Sequence, residues 1–337
     1  MTLILAIETS CDETACAVVK DGREILSSIV SSQINVHTLY GGVVPEVASR
    51  IHVENISAVV YEAVKQSGVT MDDIDAIAYT QGPGLIGSLH VGVQAAKTLA
   101  WMFHKPLVPI NHMTGHIYAN RFVDELAFPL MALVISGGHS QLVWMKNDWD
   151  FKVIGTTWDD AIGEAYDKVS RVLGTGYPGG PIIDKMAKQG HPHYTLPSPK
   201  TQGKYDFSFS GLKTAVLQMI QREEKKGEPI IKEDVAYAFQ ETALHQMVTK
   251  TIAAVKDYQP KTLVLAGGVA ANSRLRELIT EEMKAYPNVK LIIPGIKYCT
   301  DNAAMIGAAG YVAYTHQQFG DLTAAADPGL EMPGENE

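Results

Sequence analysis

His112 and His116 stand four residues apart, directly after Asn111, a good helix N-cap. At that spacing both imidazoles fall on one face of a helix, where they can share a metal ion. Eleven histidines in 337 residues make a chance pair at this distance no rarity, so the neighbouring residues must carry the argument. Gly115 lies between the two, and a glycine inside a helix costs about 1 kcal/mol against alanine, which implies that something approaches the backbone there. A charged imidazole is disfavoured near a helix N-terminus, whereas a neutral, ligating one is not. Met113 follows the first histidine where a zinc protease needs Glu, which excludes that chemistry. The competing reading is a pair of polar surface histidines. Two imidazoles seldom hold a metal alone, and Asp301, in the run Tyr298-Cys299-Thr300-Asp301-Asn302, is the candidate oxygen donor. Its competing reading is the N-cap of the last helix. Two His and one Asp with open positions suit Fe²⁺ or Zn²⁺ and leave room for a substrate.

Three glycine turns follow strands: Gly82-Pro83-Gly84, Ser136-Gly137-Gly138 and Gly267-Gly268. Backbone amides at such turns receive phosphate or carboxylate groups, although turn geometry alone also calls for glycine. Neither a P-loop nor a Rossmann fingerprint occurs. Asp12 and Glu13 follow the first strand, and Asp160, Glu164 and Asp167 lie along one helix; such carboxylates bind ribose hydroxyls or handle protons, or simply face solvent. Asn272 opens a helix as a cap or as a substrate contact. Lys168, Arg171, Lys213, Arg274 and Arg276 read as scattered solvated charges rather than one basic face, and Cys11 and His139 as structural.

These residues need elements to hold them. Strands at Leu3–Glu8 and Ala15–Val19, the Asp21-Gly22 turn and a third run at Glu24–Ser32 form a meander. A helix from Pro45 to about Gln66, a strand at Ala76–Thr80, a helix over 87–103 and a strand at Leu107–Ile110 complete a βββαβαβ unit. The pattern restarts after Pro129 with strands at Leu130–Ser136, Gln141–Met145 and Phe151–Thr156, a helix over 159–173, a strand at Thr262–Leu265 and another at Val289–Ile293. The expected architecture is α/β: a duplicated βββαβαβ fold of the ribonuclease-H-like, actin-like kind, two lobes with a central cleft. One lobe takes 1–110 plus 296–320, and the second takes 111–295 with a helical insertion over about 174–260. The small residues of the last helix, Asp301–His316, would let it pack closely on the first lobe. The acidic stretch 321–337 reads as a mobile tail. A net charge of −9 leaves nucleic-acid binding to a local face or a partner. Three cysteines without a CxxC pair suit a reducing cytosol, and no apolar run approaches membrane-spanning length.

Taken together, the motifs resemble one family, the TsaD proteins, bacterial tRNA threonylcarbamoyladenosine transferases once called glycoproteases. The matching segments are IETSCDET (7–14), GGVVPEVASR (41–50), GPGLIG (82–87), NHMTGH (111–116), SGGHSQL (136–142), YPGGP (177–181), DFSFSGLKT (206–214), AGGVAAN (266–272) and CTDNAAMI (299–306). The resemblance implies the two-lobed actin-like, sugar-kinase-like fold and a metal held by His112, His116 and Asp301, with Fe²⁺ favoured over Zn²⁺. It implies substrate contacts at Val134, Ile135, Ser136, Gly137, Gly138, Asp167, Gly180, Asp184 and Asn272. Thr114 replaces a Glu common between the two histidines of the family, at a position that is not a ligand. The implied reaction is transfer of threonylcarbamoyl from threonylcarbamoyl-AMP to N6 of adenosine 37 in tRNAs reading codons that start with adenine. Asp12 or Glu13 would handle the amine proton. A TsaB-like paralogue and a TsaE-like ATPase are the implied partners, and the cytoplasm is the implied location. The alternatives are an ATP-dependent small-molecule kinase, which would bind Mg²⁺ through carboxylates, and a non-catalytic scaffold, which has no need of the His112, His116 and Asp301 set.

Overall fold

The computed structural model describes residues 1–335. The chain divides into two compact units, one of Met1–Leu126, Asp148–Phe151 and Lys297 onwards, the other of Ala127–Asn147 and Lys152–Ile296.

The first unit contains β1 (Leu3–Glu8), β2 (Glu13–Lys20), β3 (Glu24–Ser32), α1 (Ile34–Thr38), α2 (Pro45–Ser67), β4 (Ala76–Gly82), α3 (Ile86–Phe103), β5 (Leu107–Asn111) and α4 (His112–Tyr118). Its sheet runs β3-β2-β1-β4-β5, with β1, β2 and β3 antiparallel and β1, β4 and β5 parallel. All six residues of β1 are buried, as a central strand covered on both faces requires. Asp21 and Gly22 take φ of 52° and 64°, the left-handed pair that a two-residue hairpin needs. Pro45 opens α2 and Gly68 closes it in the left-handed region.

The second unit contains β6 (Leu130–Ile135), β7 (Ser140–Met145), β8 (Phe151–Thr156), α5 (Ile162–Leu173), α6 (Gly179–Ala187), α7 (Ser210–Lys226), α8 (Lys232–Tyr258), β9 (Thr262–Ala266), α9 (Ser273–Met283) and β10 (Lys290–Ile292). Its strand order is β8-β7-β6-β9-β10, which repeats the first sheet position for position. The duplicated α/β fold is therefore present, with α6, α7 and α8 filling the expected insertion. Helix α5 starts three residues later than the periodicity suggests. Asp159 is spent elsewhere, accepting hydrogen bonds from the hydroxyls of Ser208 and Ser210 and the amides of Phe209 and Ser210 at the start of α7.

The last helix, α10 (Ala303–Thr315), lies against β1, β2 and β4 of the first unit. A Cβ on Gly307 would stand 2.5 Å from Val19, and one on Gly310 the same distance from Ala78, so both positions must stay glycine for this approach. Residues 111–126 and the chain beyond 320 belong to this unit too, where the sequence reading ends the lobe at 110 and leaves 321–337 as a mobile tail. Helix α4 packs on α10, and Tyr118 at its end donates to Asp148 and stacks on Trp149, which ties 148–151 to the same body. The tail is anchored through its backbone, which its acidic composition does not reveal. Asp327 N–H donates to Gln81 O, Pro328 O accepts from Gly84 N–H, and the carbonyls of Leu330 and Glu331 accept from Asn111 Nδ2. Met332 is buried. Asn336 and Glu337 lie outside the described residues. Among the described residues no helix is long and apolar enough to cross a membrane.

Candidate functional site

Strand β5 ends at Asn111, whose Oδ1 accepts from Met113 N–H at 2.9 Å and starts α4 at His112. The predicted cap thus forms, and it fixes both imidazoles on one buried face. What approaches Gly115 is α10: a Cβ there would meet Ile306 Cδ1 at 2.8 Å. Helix α10 is capped by Asn302, whose Oδ1 accepts from Met305 N–H at 3.0 Å. That removes the competing reading of Asp301, whose carboxylate turns to the histidines instead.

The three donors converge. His112 Nε2 and His116 Nε2 are 3.2 Å apart, and Asp301 Oδ1 lies 3.4 Å from the first and 3.2 Å from the second. Ligands at 2.0–2.1 Å around a tetrahedral ion are separated by about 3.3–3.4 Å, so this triangle is one face of such a shell. Two ring nitrogens and a carboxylate oxygen aimed at one point hold lone pairs that a single proton cannot satisfy, and a divalent cation fits the donor set. His112, His116 and Asp301 form the group of three metal-capable side chains found among the described residues.

Electrostatics reinforce the picture. Burial opposes ionisation of Asp301, yet the two imidazoles hold its carboxyl well below the ordinary range. Burial would depress His112, but the carboxylates of Asp301 and Glu8 outweigh it and raise its pKa. For His116 burial wins, helped by repulsion from His112, and its pKa falls. Its Nδ1 is buried without a hydrogen-bond partner. Glu8, fully buried at the end of β1, faces His112 Nδ1 from 3.0 Å. Sequence reading missed it, although an acid closing an otherwise apolar strand is a visible signal.

Asp12 and Glu13 are half-buried beside this group. Burial and the carboxylates of Asp301 and Asp12 push Glu13 up to about 9, so at neutral pH it keeps its proton and can donate rather than accept one. The folded pKa lies above the ordinary 4.5, so between these values the folded chain binds more protons and loses stability as pH rises. Glu13→Gln removes that slope. In chelator-stripped protein its unfolding free energy in urea should exceed the wild type's at pH 8, by roughly 1–2 kcal/mol after allowance for screening, and match it near pH 4.5. Equal gains at both pH values would count against a raised Glu13.

The second unit carries its own cavity of about 570 Å³, lined by Gly137, Asp167, Gly180, Asp184 and Asn272 among others. Five of the expected contact residues therefore share one pocket. Val134 and Ile135 do not line it; they are fully buried within β6, and only the turn after them reaches the surface. Ser136 Oγ accepts from His139 N–H and closes that turn, leaving Gly137 and Gly138 exposed. Asp167 Oδ1 accepts from Gly179 N–H at the start of α6, and burial raises its pKa. Gly180 has open space where a side chain would stand.

Behind the pocket lies a polar network that spacing did not announce. Asn272 Oδ1 caps α9 by accepting from Leu275 N–H, while its Nδ2 donates to Tyr166 Oη and Gln240 Oε1. Gln240 Oε1 also accepts from Tyr166, and its Nε2 donates to Asp184 Oδ1. Asp184 further accepts from the hydroxyl of Ser273. Both readings of Asn272, cap and pocket wall, hold at once. A Gln on the buried face of a long helix was the only hint in the sequence.

The scattered cations are mostly engaged. Lys168 pairs with Asp160 and Glu164, Arg274 with Glu241 and Glu277, and Arg276 donates to the carbonyls of Ala270 and Pro294. Burial pushes the thiols of Cys11 and Cys16 upward, so neither is a ready nucleophile.

Comparison with known proteins bears on what this pair of sites serves. Residues 24–308 match the model of the TsaD family, tRNA N6-adenosine threonylcarbamoyltransferase. The chain is 53% identical over 337 residues to the tRNA N6-adenosine threonylcarbamoyltransferase of Lactiplantibacillus plantarum, covering 98% of this chain and 97% of that one. It is 52% identical over 330 residues to the corresponding Bacillus subtilis protein, covering 98% and 95%. Among solved structures, T. kodakarensis HypF aligns with a TM-score of 0.65 at 13% identity, over 94% of this chain and 48% of that one. Component A of the Acidaminococcus fermentans (R)-2-hydroxyglutaryl-CoA dehydratase aligns at 0.53 and 15%, over 93% and 97%. At such identities the structural likeness speaks for the actin-like fold alone, while the sequence matches run nearly end to end. The chain belongs to the TsaD family of tRNA N6-adenosine threonylcarbamoyltransferases.

Proposed function

We propose that the chain transfers the threonylcarbamoyl group of threonylcarbamoyl-AMP to N6 of adenosine 37 in tRNAs that read codons starting with adenine. The observation that carries this reading is near full-length identity of about half to curated transferases, in a chain that keeps His112, His116 and Asp301 converged.

His112, His116 and Asp301 would hold one divalent ion, Fe²⁺ by preference and Zn²⁺ second. When bound, such an ion polarises a carbonyl or anchors a phosphate as a Lewis acid. The pocket of the second unit receives the adenylate. Asp167 and Asp184 bind the ribose hydroxyls, Asn272 stands by the nucleotide, and Gly137 and Gly138, in the turn that Ser136 closes, offer amides to the anion. N6 attacks the carbamoyl carbon, the bond from that carbon to the phosphate oxygen breaks, and AMP leaves with the electron pair. Asp12 takes the amine proton, directly or through water, and the protonated Glu13 donates a hydrogen bond. Work in the cytosol beside a TsaB-like paralogue and a TsaE-like ATPase completes the reading.

The test is reconstitution. Purified chain, threonylcarbamoyl-AMP, unmodified tRNA and the two partners are incubated, and tRNA nucleosides are analysed by mass spectrometry. Threonylcarbamoyladenosine at position 37 is the expected product. Its absence, with partners proven active alongside a known TsaD protein, would falsify the reading.

A further inference from the structure

We infer that Glu8 is the positioning residue of the metal centre: its carboxylate fixes His112 with the proton on Nδ1 and Nε2 turned to the ion. The inference rests on the metal reading above and concerns how one ligand is made.

Glu8 ends β1, the central strand of its sheet, with no exposed surface. Among the described residues it has no Lys or Arg partner, and its ion pair is with His112. A buried carboxylate without a cation is expensive, and a strand end that served packing alone would carry an apolar residue or an amide. The surroundings instead hold the charge and aim it. Ser10 N–H donates to Oε1, and the Thr80 hydroxyl, from the parallel neighbour β4, donates to Oε2. That leaves Oε2 facing His112 Nδ1 at 3.0 Å, with Ser10 Oγ as a second neighbour at 3.2 Å.

A ring nitrogen that donates to a carboxylate cannot also be the ligand, so Nε2 is left with its lone pair, on the side where Asp301 and His116 converge. The carboxylate also raises the basicity of the ligating nitrogen. His116 is supported differently: its Nε2 meets Asp301 and His112, but its Nδ1 is buried and unpartnered, so no acid orients the ring from that side. The two imidazoles are therefore unequal ligands, one polarised by a buried acid and one not. Thr80 and Ser10, neither of them beside a metal ligand in sequence, complete the support.

The experiment uses the full chain stripped with a chelator and titrated with Co²⁺ or Zn²⁺ against a competing chelator. Glu8→Gln, which keeps the shape, should weaken metal binding by roughly 10–100-fold. Glu8→Asp should recover part of the loss. A Glu8→Gln protein that folds and binds within threefold of wild type overturns the inference but leaves the metal centre standing. Wild-type protein that takes up neither ion overturns both. Should Glu8→Gln fail to fold, long-range ¹H–¹⁵N spectra of the Zn²⁺-loaded wild type decide the matter. The expected state of His112 is protonated Nδ1 and metal-bound Nε2; the opposite tautomer overturns the inference.

Discussion

Replacing His116 by Ala is expected to abolish metal-dependent stabilisation of the chain and to lower threonylcarbamoyl transfer by more than roughly 100-fold. The donor triangle has sides of 3.2–3.4 Å, and removing one corner leaves a single imidazole and one carboxylate. A metal binding only the folded state at 100 times its dissociation constant adds about 2.7 kcal/mol to stability. Wild-type protein should therefore melt higher with Zn²⁺ or Fe²⁺ than with chelator, and His116→Ala should melt alike in both. The chelator-treated variant should stay folded. It loses packing against α10 but also sheds a buried Nδ1 that has no partner, and these oppose one another. Asp301→Asn should behave in the same way, because Asn302 and not Asp301 caps α10. A variant that still gained stability from metal would place the ion elsewhere.

Gln240→Leu should cost about 2–4 kcal/mol of stability and sharply weaken binding of the adenylate. Gln240 is 2% exposed, and its amide serves three partners: it accepts from Tyr166 and Asn272 and donates to Asp184. Leucine fills much of the volume but leaves two donors and part of a carboxylate unpaired in a buried place, which is the expensive kind of loss. Asn272 keeps its bond to Leu275, so α9 should remain capped while its pocket side loosens. The urea midpoint measures the first effect, and the affinity for AMP or a non-hydrolysable threonylcarbamoyl adenylate measures the second. An unchanged affinity alongside the stability loss would make Gln240 a structural residue only.

Much of this was legible from the chain. The duplicated strand pattern, the Asp21-Gly22 hairpin and the Asn111 cap are local matters of periodicity and turn chemistry, and each has the expected form. The small residues of α10 forecast its close seat on the sheet. Other features depend on partners outside any local window. Gly115 implies a close neighbour without naming it, and that neighbour is Ile306 of α10. The acidic tail looked mobile, but its hold on Gln81, Gly84 and Asn111 runs through backbone groups that composition does not encode. Val134 and Ile135, substrate contacts implied by the resemblance, are buried in β6 and do not line the pocket.

The pair His112 and His116 was set by sequence alone, because four residues along a capped helix put two side chains on one face whatever the rest of the chain does. Only the tertiary structure decided that the pair has company. Asp301 reaches it because α10 packs on α4, and Glu8 because β1 ends beside Thr80. Spacing fixes neighbours within an element. A shell drawn from β1, α4 and the segment before α10 exists only once burial has brought those elements together.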